Sequence, residues 1–268
     1  MTNSELKQVA ENAMTRLIYS LEQGHSECLA CYLTAMSRFH RYSWNNVLLI
    51  SLQRATATHV AGFQTWHKFG RYVRKGEKGI VILAPLIGRK KAEEDGETEE
   101  KRLFGFRAAY VFDVSQTDGE PLPEFASVKG DPAEHAAKLK AFITEQSIAL
   151  DYSDSIRPAL GLSRGGAITL ACGLSPAQEF STLAHEAAHE MLHRSERRTQ
   201  TTKTIRETEA EAVAFVVCHA IGLDTNTASS DYISLYDGNR DTLTASLDFI
   251  QSTATAILRA ITPEDPLR

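Results

Sequence analysis

Apolar residues in the first fifty positions recur every three to four residues, which is the spacing of amphipathic helices. Five of them lie between positions 9 and 21: Val9, Met14, Leu17, Ile18 and Leu21. The pattern predicts a first helix that Gly24 ends and a second helix over residues 26–39. A third helix is predicted to begin at Ser43, whose hydroxyl can cap it.

Beyond residue 60 the pattern changes to that of strands. Residues 80–85 form a short apolar run, and residues 104–114 alternate enough to predict a strand that pairs with it. The glutamate-rich residues 90–102 between them predict a mobile hairpin tip. Gly, Asp and Pro cluster at residues 118–123 and 130–132, so we place a linker near residues 120–131.

The second half mixes helical and strand patterns. Helices are predicted over residues 132–147, 230–236 and 242–260, and short strands over 148–152 and 167–172. The sequence therefore predicts an α+β protein of two domains, residues 1–125 and 132–268.

Candidate chemistry lies in the HExxH segment His185-Glu186-Ala187-Ala188-His189. Two histidines four residues apart on a helix stand roughly 40° apart on one face, so both imidazoles can reach one zinc ion. Glu186 can then act as the general base that accepts a proton from the attacking water. Ser175, Pro176 and Gln178 predict the start of this helix through a capping box.

A third ligand must come from elsewhere, because His193 lies about 80° around the helix from His185. Residues 207–215 predict a second helix, on which Glu207 would bind the metal and Glu211 would hydrogen-bond a ligand histidine. Glu209 would point away into solvent. The alternative is an exposed acidic helix with a chance HExxH match. For stabilising the oxyanion, His219, Tyr232 and Tyr236 are unranked candidates.

A basic and aromatic segment is the second candidate site. Cations cluster in the glycine-rich turn at residues 70–79, near several aromatic residues. Cations for phosphates and aromatic rings for stacking are what single-stranded nucleic acid requires. The candidate DNA-binding residues are Tyr42, Asn45, Asn46, Gln53, Trp66, Arg71, Arg74, Lys75 and Lys78. The alternative is a solvated basic hairpin with the aromatic rings in the core.

Composition restricts the cellular compartment and the binding partners that the sequence predicts. The net charge of −5 leaves any nucleic-acid binding to a local patch. The four cysteines are too few for a disulfide scaffold, and we read neither a signal peptide nor a run of the roughly 20 apolar residues that span a membrane. We therefore expect a cytoplasmic protein with no membrane partner.

These residues together resemble ArdC-type antirestriction proteins over about residues 5–255. In the first half the resemblance rests on residues 42–46, 60–63, 70–71, 74–79 and 111–117 and on Trp66. This part resembles the family's single-stranded DNA-binding domain and is similar to the N-terminal part of TraC-type primases. The second half resembles the family's metallopeptidase-like domain, related to short gluzincins of the ImmA/IrrE kind, through HExxH, Glu207, Ala210 and Glu211.

The resemblance implies a mobile-element protein that binds single-stranded DNA and protects incoming DNA from host restriction. Its cofactor would be Zn²⁺, or another divalent transition metal such as Mn²⁺, and an unknown protein is a possible substrate. Two alternatives remain: a DNA-associated zinc protease whose proteolysis is its main function, and a primase-associated single-stranded DNA-binding protein.

Overall fold

The computed structural model describes residues 3–23, 27–89, 101–121, 132–223 and 240–262. The helices are α1 (Asn3–Glu22), α2 (Glu27–Arg38), α3 (Trp44–Gln53), α4 (Phe63–Lys68), α5 (Pro132–Glu145), α6 (Pro176–Leu192), α7 (Ser195–Gln200), α8 (Lys203–Ala220) and α9 (Arg240–Ile261). The strands are β1 (Val60–Gly62), β2 (Arg71–Val73), β3 (Ile80–Arg89), β4 (Lys101–Asp113), β5 (Thr117–Gly119), β6 (Ala149–Tyr152), β7 (Gly161–Ser163) and β8 (Ala167–Leu170). The α+β class predicted from the sequence is confirmed.

The chain forms two compact units whose boundaries do not follow sequence order. Unit 1 contains Met1–Thr15 and Leu48–Pro121, and unit 2 contains Arg16–Val47 and Leu122–Pro266. One boundary between the units lies between Pro121 and Leu122. Residues 16–47, however, group with the second half of the chain and not with the predicted first domain, because α2 packs against α8.

Unit 1 is built on an antiparallel sheet of order β1-β4-β3. The predicted pairing is confirmed. Strands β3 and β4 are antiparallel neighbours whose pairing begins with Ile80 opposite Val111, and the register shifts between Leu86 and Ile87. Strand β2 pairs separately with β5. Asp113 ends β4 and caps the next turn, where it accepts hydrogen bonds from the backbone amides of Thr58, His59 and Ser115.

Unit 2 packs helices against a small sheet of order β6-β8-β7. Strand β8 pairs in parallel with β6 and antiparallel with β7. Helix α8 contacts α2, α6 and α9, and its residues Val213, Val216 and Val217 are fully buried. Because α8 is buried on several sides, polar residues of this helix can lie inside unit 2.

Most predicted elements are present, with shifted ends. The first three helices, the helix after residue 132, the strands near 148 and 167 and the last helix all appear. The three-residue strands β1, β2, β5 and β7 were not predicted, because so short a segment shows little alternation. Of the predicted tip at residues 90–102, the last two residues belong to β4 and the others lie outside the described residues, as does the predicted helix at 230–236. Among the described helices, none is long and apolar enough to cross a membrane.

Candidate functional sites

Helix α6 positions the HExxH residues, and the start of this helix forms as its sequence predicts. The Ser175 side chain accepts a hydrogen bond from the Gln178 amide, the Gln178 side chain reaches back to the Ser175 amide, and Pro176 occupies the first turn. Ala184, Ala187 and Ala188 are fully buried on the opposite side of α6. The small alanines anchor the helix, which leaves His185 and His189 on its partly exposed face.

His185, His189 and Glu207 come together as a cluster of three possible metal ligands. The Nε2 atoms of the two histidines lie 3.1 Å apart, and the Glu207 Oε2 atom lies 3.6 Å from His185 Nε2 and 3.4 Å from His189 Nε2. Tetrahedral zinc with bonds of about 2.0–2.1 Å needs ligand atoms about 3.3 Å apart. The cluster therefore fits a divalent ion, and its three donors leave a fourth position open.

The pKa values of the cluster favour the forms that bind a cation. Hydrogen bonding to His185, together with the charges of both histidines, lowers the pKa of Glu207 to about 2 against the opposing effect of burial. Burial and the nearby His185 lower the pKa of His189 to about 4. At neutral pH the carboxylate is therefore ionised and the His189 imidazole is neutral, as metal ligation requires.

Glu186 lies in a tight space next to the cluster. Only 7% of this residue is exposed, and burial raises the pKa of its carboxyl group, with Glu207 adding to the rise and His185 opposing it. A side chain at Gly161 would place its Cβ 2.7 Å from Glu186 Oε1 and 2.6 Å from Thr182 Cγ2. Strand β7 can therefore approach Glu186 this closely only because residue 161 is a glycine.

A cavity of about 290 Å³ opens beside His185 and Glu186. Its other walls include the apolar residues Leu160, Ala214 and Phe215. A pocket with apolar walls and a few convergent polar groups is the usual form of a ligand site. The proposed general base thus faces a space that can hold part of a substrate.

A buried histidine links the metal cluster to the core. His193 is 3% exposed; its Nδ1 atom lies 3.1 Å from His189 Nδ1, and its Nε2 atom lies 2.9 Å from Glu209 Oε2. Because the Glu209 carboxylate can only accept, His193 donates from Nε2 and its Nδ1 lone pair can accept from His189 Nδ1–H. That tautomer of His189 leaves its Nε2 lone pair free for a metal.

Glu209 is fully buried, so the prediction that it points into solvent is wrong. Arg197 binds both of its oxygens, at 2.7 and 2.8 Å, and the Ser246 hydroxyl donates to it at 2.6 Å. These hydrogen bonds, with that of His193, lower the pKa of Glu209 although burial opposes them. Glu209 faces inward because α9 covers the side of α8 opposite Glu207.

Three further sequence predictions concern the surroundings of the cluster. Glu211 lines the 290 Å³ cavity, but in the described part of the chain it makes no hydrogen bond to His185 or His189. The hydrogen-bonded contact to His189 comes instead from His193, which in turn bonds Glu209. His219 stacks on Phe215 and is absent from the cavity lining. Tyr232 and Tyr236 lie outside the described residues.

Two candidate DNA-binding residues have structural roles in unit 1. Trp66 is fully buried and donates from Nε1 to the backbone oxygen of Phe112 at 2.8 Å, so its ring cannot stack on a base. Gln53 exchanges two hydrogen bonds with the backbone of Val81, at 2.8 and 2.9 Å. Its amide therefore binds the β3 backbone and is not available to a ligand.

The two arginines of the basic turn are also engaged. Arg71 donates to Thr117 and to the backbone oxygens of Gly119 and Glu120. Arg74 forms ion pairs with Glu77 at 2.7 Å and Asp118 at 3.4 Å. Both side chains hold the turn to the segment around β5, so the turn is better ordered than a solvated hairpin.

The remaining predicted DNA-binding residues fall in different units. Lys75 and Lys78 are exposed in unit 1. Tyr42, Asn45 and Asn46 belong to unit 2, where Asn46 is 7% exposed and Tyr42 meets Phe39 edge to face. The nine predicted residues are thus divided between the two units.

Sequence reasoning missed an exposed aromatic row on the sheet of unit 1. Tyr110 and Phe112 both lie against Gly79, and Phe106 follows on the same face of β4 by alternation. Phe63 meets Phe112 edge to face at 6.3 Å. Phe63, Phe106 and Tyr110 are 56%, 44% and 53% exposed. The spacing of Phe106, Tyr110 and Phe112 along β4, four and then two residues, was the available signal.

Two crystal structures of one known protein share the fold of this chain. The fold is that of the antirestriction protein ArdC from plasmid R388, at 19% sequence identity. Its metal-free crystal structure has a TM-score of 0.56 and aligns over 94% of this chain and 97% of that chain. For the Mn(II)-bound structure the TM-score is 0.53, over 96% and 99%.

The sequence itself carries the same relationship. Residues 7–112 match the model of the N-terminal domain of anti-restriction factor ArdC. Residues 7–112 therefore form an ArdC-type N-terminal domain, as the sequence motifs of the first half predicted. An uncharacterized protein of Bacillus anthracis is 24% identical over an alignment of 283 residues, which covers 89% of this chain and 48% of that relative. The chain thus spans about half the length of this curated relative.

Proposed function

We propose that this protein is an antirestriction protein of a mobile element, which binds single-stranded DNA in the cytoplasm and protects incoming DNA from host restriction. The match of residues 7–112 to the ArdC N-terminal domain carries this proposal. The aromatic row of unit 1, defined as Phe63, Phe106 and Tyr110, supports it, because exposed rings in a row suit successive unpaired bases.

The cations best suited to the DNA backbone are Lys75 and Lys78. Both are exposed, and Lys78 adjoins Gly79, which lies against Tyr110 of the aromatic row. Arg71 and Arg74, which the sequence favoured, are held by hydrogen bonds and ion pairs within unit 1. We therefore assign phosphate contacts to the lysines and a supporting role to the arginines.

An anisotropy titration with labelled oligo-dT tests this surface. Tyr110→Ser should weaken binding by about 1–3 kcal/mol, the usual contribution of one stacked base. Lys75→Glu with Lys78→Glu should weaken it further and flatten its salt dependence. Tyr19→Ser, at an equally exposed tyrosine on α1, and Lys203→Glu are the matched controls. Equal affinity in test and control variants would remove the aromatic row from the proposal.

We further propose that His185, His189 and Glu207 hold a zinc-class ion, with Mn²⁺ as the alternative. When bound, such an ion would polarise a substrate carbonyl and the attacking water. The near-tetrahedral spacing of the three donor atoms supports this assignment. His189→Ala and Glu207→Ala should lose the ion in a metal analysis, while His193→Ala should retain it with lower affinity.

Glu186 is the proposed general base of a peptidase-like reaction. Its carboxylate would accept a proton from the attacking water and return it to the leaving amine. Burial raises its pKa towards neutrality, which suits a group that both takes and releases a proton. The adjoining cavity of about 290 Å³ would hold a substrate side chain.

Glu186→Gln separates this chemistry from DNA protection. The amide cannot accept the proton, so any hydrolysis of casein-type protein substrates should fall at least about a hundredfold. We expect single-stranded DNA binding and protection to persist, because coating the entering strand breaks no bond. Loss of protection in a variant that still binds metal and DNA would instead support a protease whose cleavage is the main function.

A further inference from the structure

The metal cluster separates two cavities of different character. The one beside His185 has the apolar walls described above. The other, beside His189, has a volume of about 440 Å³ and is lined by Arg164, Arg194 and Arg198 with a single acidic residue, Glu190. We name this second cavity the cationic pocket.

The one carboxylate of the cationic pocket is already satisfied. Glu190 is 2% exposed and accepts hydrogen bonds from the backbone amides of Gly165 and Gly166 at 2.7 and 2.6 Å. Arg194 pairs with it at 3.2 Å. Within the described ranges, neither Arg164 nor Arg198 has a carboxylate at ion-pair distance. Two exposed guanidinium groups are thus left over for a ligand.

An open strand edge leads from the pocket to the general base. Strand β7 pairs with β8 on one side only in the described part of its sheet. Ser163 at its end lines the cationic pocket and also hydrogen-bonds Glu186. A peptide that added a strand along β7 would pass Glu186 and could place a side chain beside Arg164.

We infer that the cationic pocket binds the carboxylate of an aspartate or glutamate in an extended peptide lying along β7. Arg164 and Arg198 supply charge-assisted hydrogen bonds to this carboxylate, whereas the cavity beside His185 takes an apolar side chain. The inference rests on the proposed peptidase-like function, because it assigns a substrate preference to that site. A substrate with an acidic residue near the cleaved bond is the class selected.

Binding of peptides to the full-length, metal-loaded Glu186→Gln protein tests the inference without cleavage. Labelled neutral peptides carry one glutamate, moved along the chain one position at a time, and each has a glutamine counterpart. At one position the glutamate peptide should bind about tenfold tighter than its counterpart. Combined Arg164→Gln and Arg198→Gln should abolish that preference, while Arg259→Gln, at an exposed arginine on α9, should leave it intact.

Reversed charge gives a second measurement that a folding defect could not imitate. Combined Arg164→Glu and Arg198→Glu should transfer the preference to lysine-containing peptides. An unchanged glutamate preference in these variants, or none in the parent protein, would overturn the inference. So would a loss of oligo-dT affinity with unchanged peptide binding, which would assign the arginines to DNA phosphates.

The outcomes also separate this inference from the proposed function. Hydrolysis without a glutamate preference would leave the peptidase-like function standing and remove the inference. A glutamate preference without hydrolysis in the protein that retains Glu186 would establish the pocket as a peptide-binding site and remove the peptidase chemistry.

Discussion

Removing the His193 imidazole should weaken binding at the proposed metal site, although His193 is not one of its three candidate ligands. In His193→Ala, the Nδ1 partner of His189 at 3.1 Å is lost, and the link to Glu209 at 2.9 Å is lost with it. The His189 ring is then free to rotate and to change tautomer. Loss of such a supporting partner typically costs 10–100-fold in metal affinity, about 1.4–2.7 kcal/mol.

The same substitution should also destabilise the metal-free fold. It removes a nearly fully buried ring and a charge-assisted hydrogen bond to Glu209, for a combined cost of about 2–4 kcal/mol. Arg197 and Ser246 continue to satisfy the Glu209 carboxylate, which keeps the cost below that of an unpaired buried charge. Metal affinity must therefore be measured separately from stability.

The matched control is His135→Ala. His135 is 2% exposed and bonds the Ile261 backbone oxygen at 3.0 Å, in the same unit but outside the metal cluster. Both variants should unfold at lower denaturant concentration. Metal affinity is then measured by competition with a chromophoric chelator at about 10–20 °C below the unfolding midpoint, where the variants remain folded. Under these conditions only His193→Ala should bind metal more weakly. Equal dissociation constants in the two variants would refute the link from Glu209 through His193 to the ligand.

Three other predictions test the geometry more widely. Gly161→Ala should cost about 1–3 kcal/mol in thermal unfolding, because its Cβ would overlap Glu186; Gly62→Ala, where a Cβ meets nothing within 4 Å, should be tolerated. Burial opposes ionisation of Asp113, but the hydrogen bonds to its carboxylate prevail and lower its pKa. Its contribution to the free energy of unfolding is therefore full above about pH 5 and falls at lower pH. Asp113→Asn should remove this part of the acid dependence. Trp66→Phe should destabilise unit 1 yet leave oligo-dT affinity unchanged, and a selective loss of affinity would restore Trp66 as a contact.

Local patterns were predicted well because neighbouring residues alone determine them. The capping box that starts α6 and the single face shared by His185 and His189 follow from helical geometry, whatever packs outside the helix. The β3–β4 pair was equally visible in its alternating residues. The resemblance to ArdC-type proteins was visible for the same reason, since its motifs are short and contiguous.

Burial could not be predicted for residues whose surroundings come from distant segments. Trp66 looked like a stacking residue, but the Phe112 carbonyl, 46 positions later, holds its indole inside unit 1. Glu209 looked solvated because an acidic residue on a helix usually is. Arg197, His193 and Ser246 instead surround it, and those residues come from three other parts of the chain.

The sequence by itself determined the positions of His185 and His189 as candidate metal ligands, of Glu186 between them as the proposed base, the helix that carries them and the likeness of the first half to an ArdC N-terminal domain. These depend on spacings within a few residues, which helical geometry converts directly into positions. The tertiary structure alone decided which glutamate is linked by hydrogen bonds to a candidate ligand, which aromatic rings are exposed and which arginines have no carboxylate partner among the described residues. Those properties depend on contacts between segments far apart in sequence, because burial and charge compensation are set by whatever packs against a side chain.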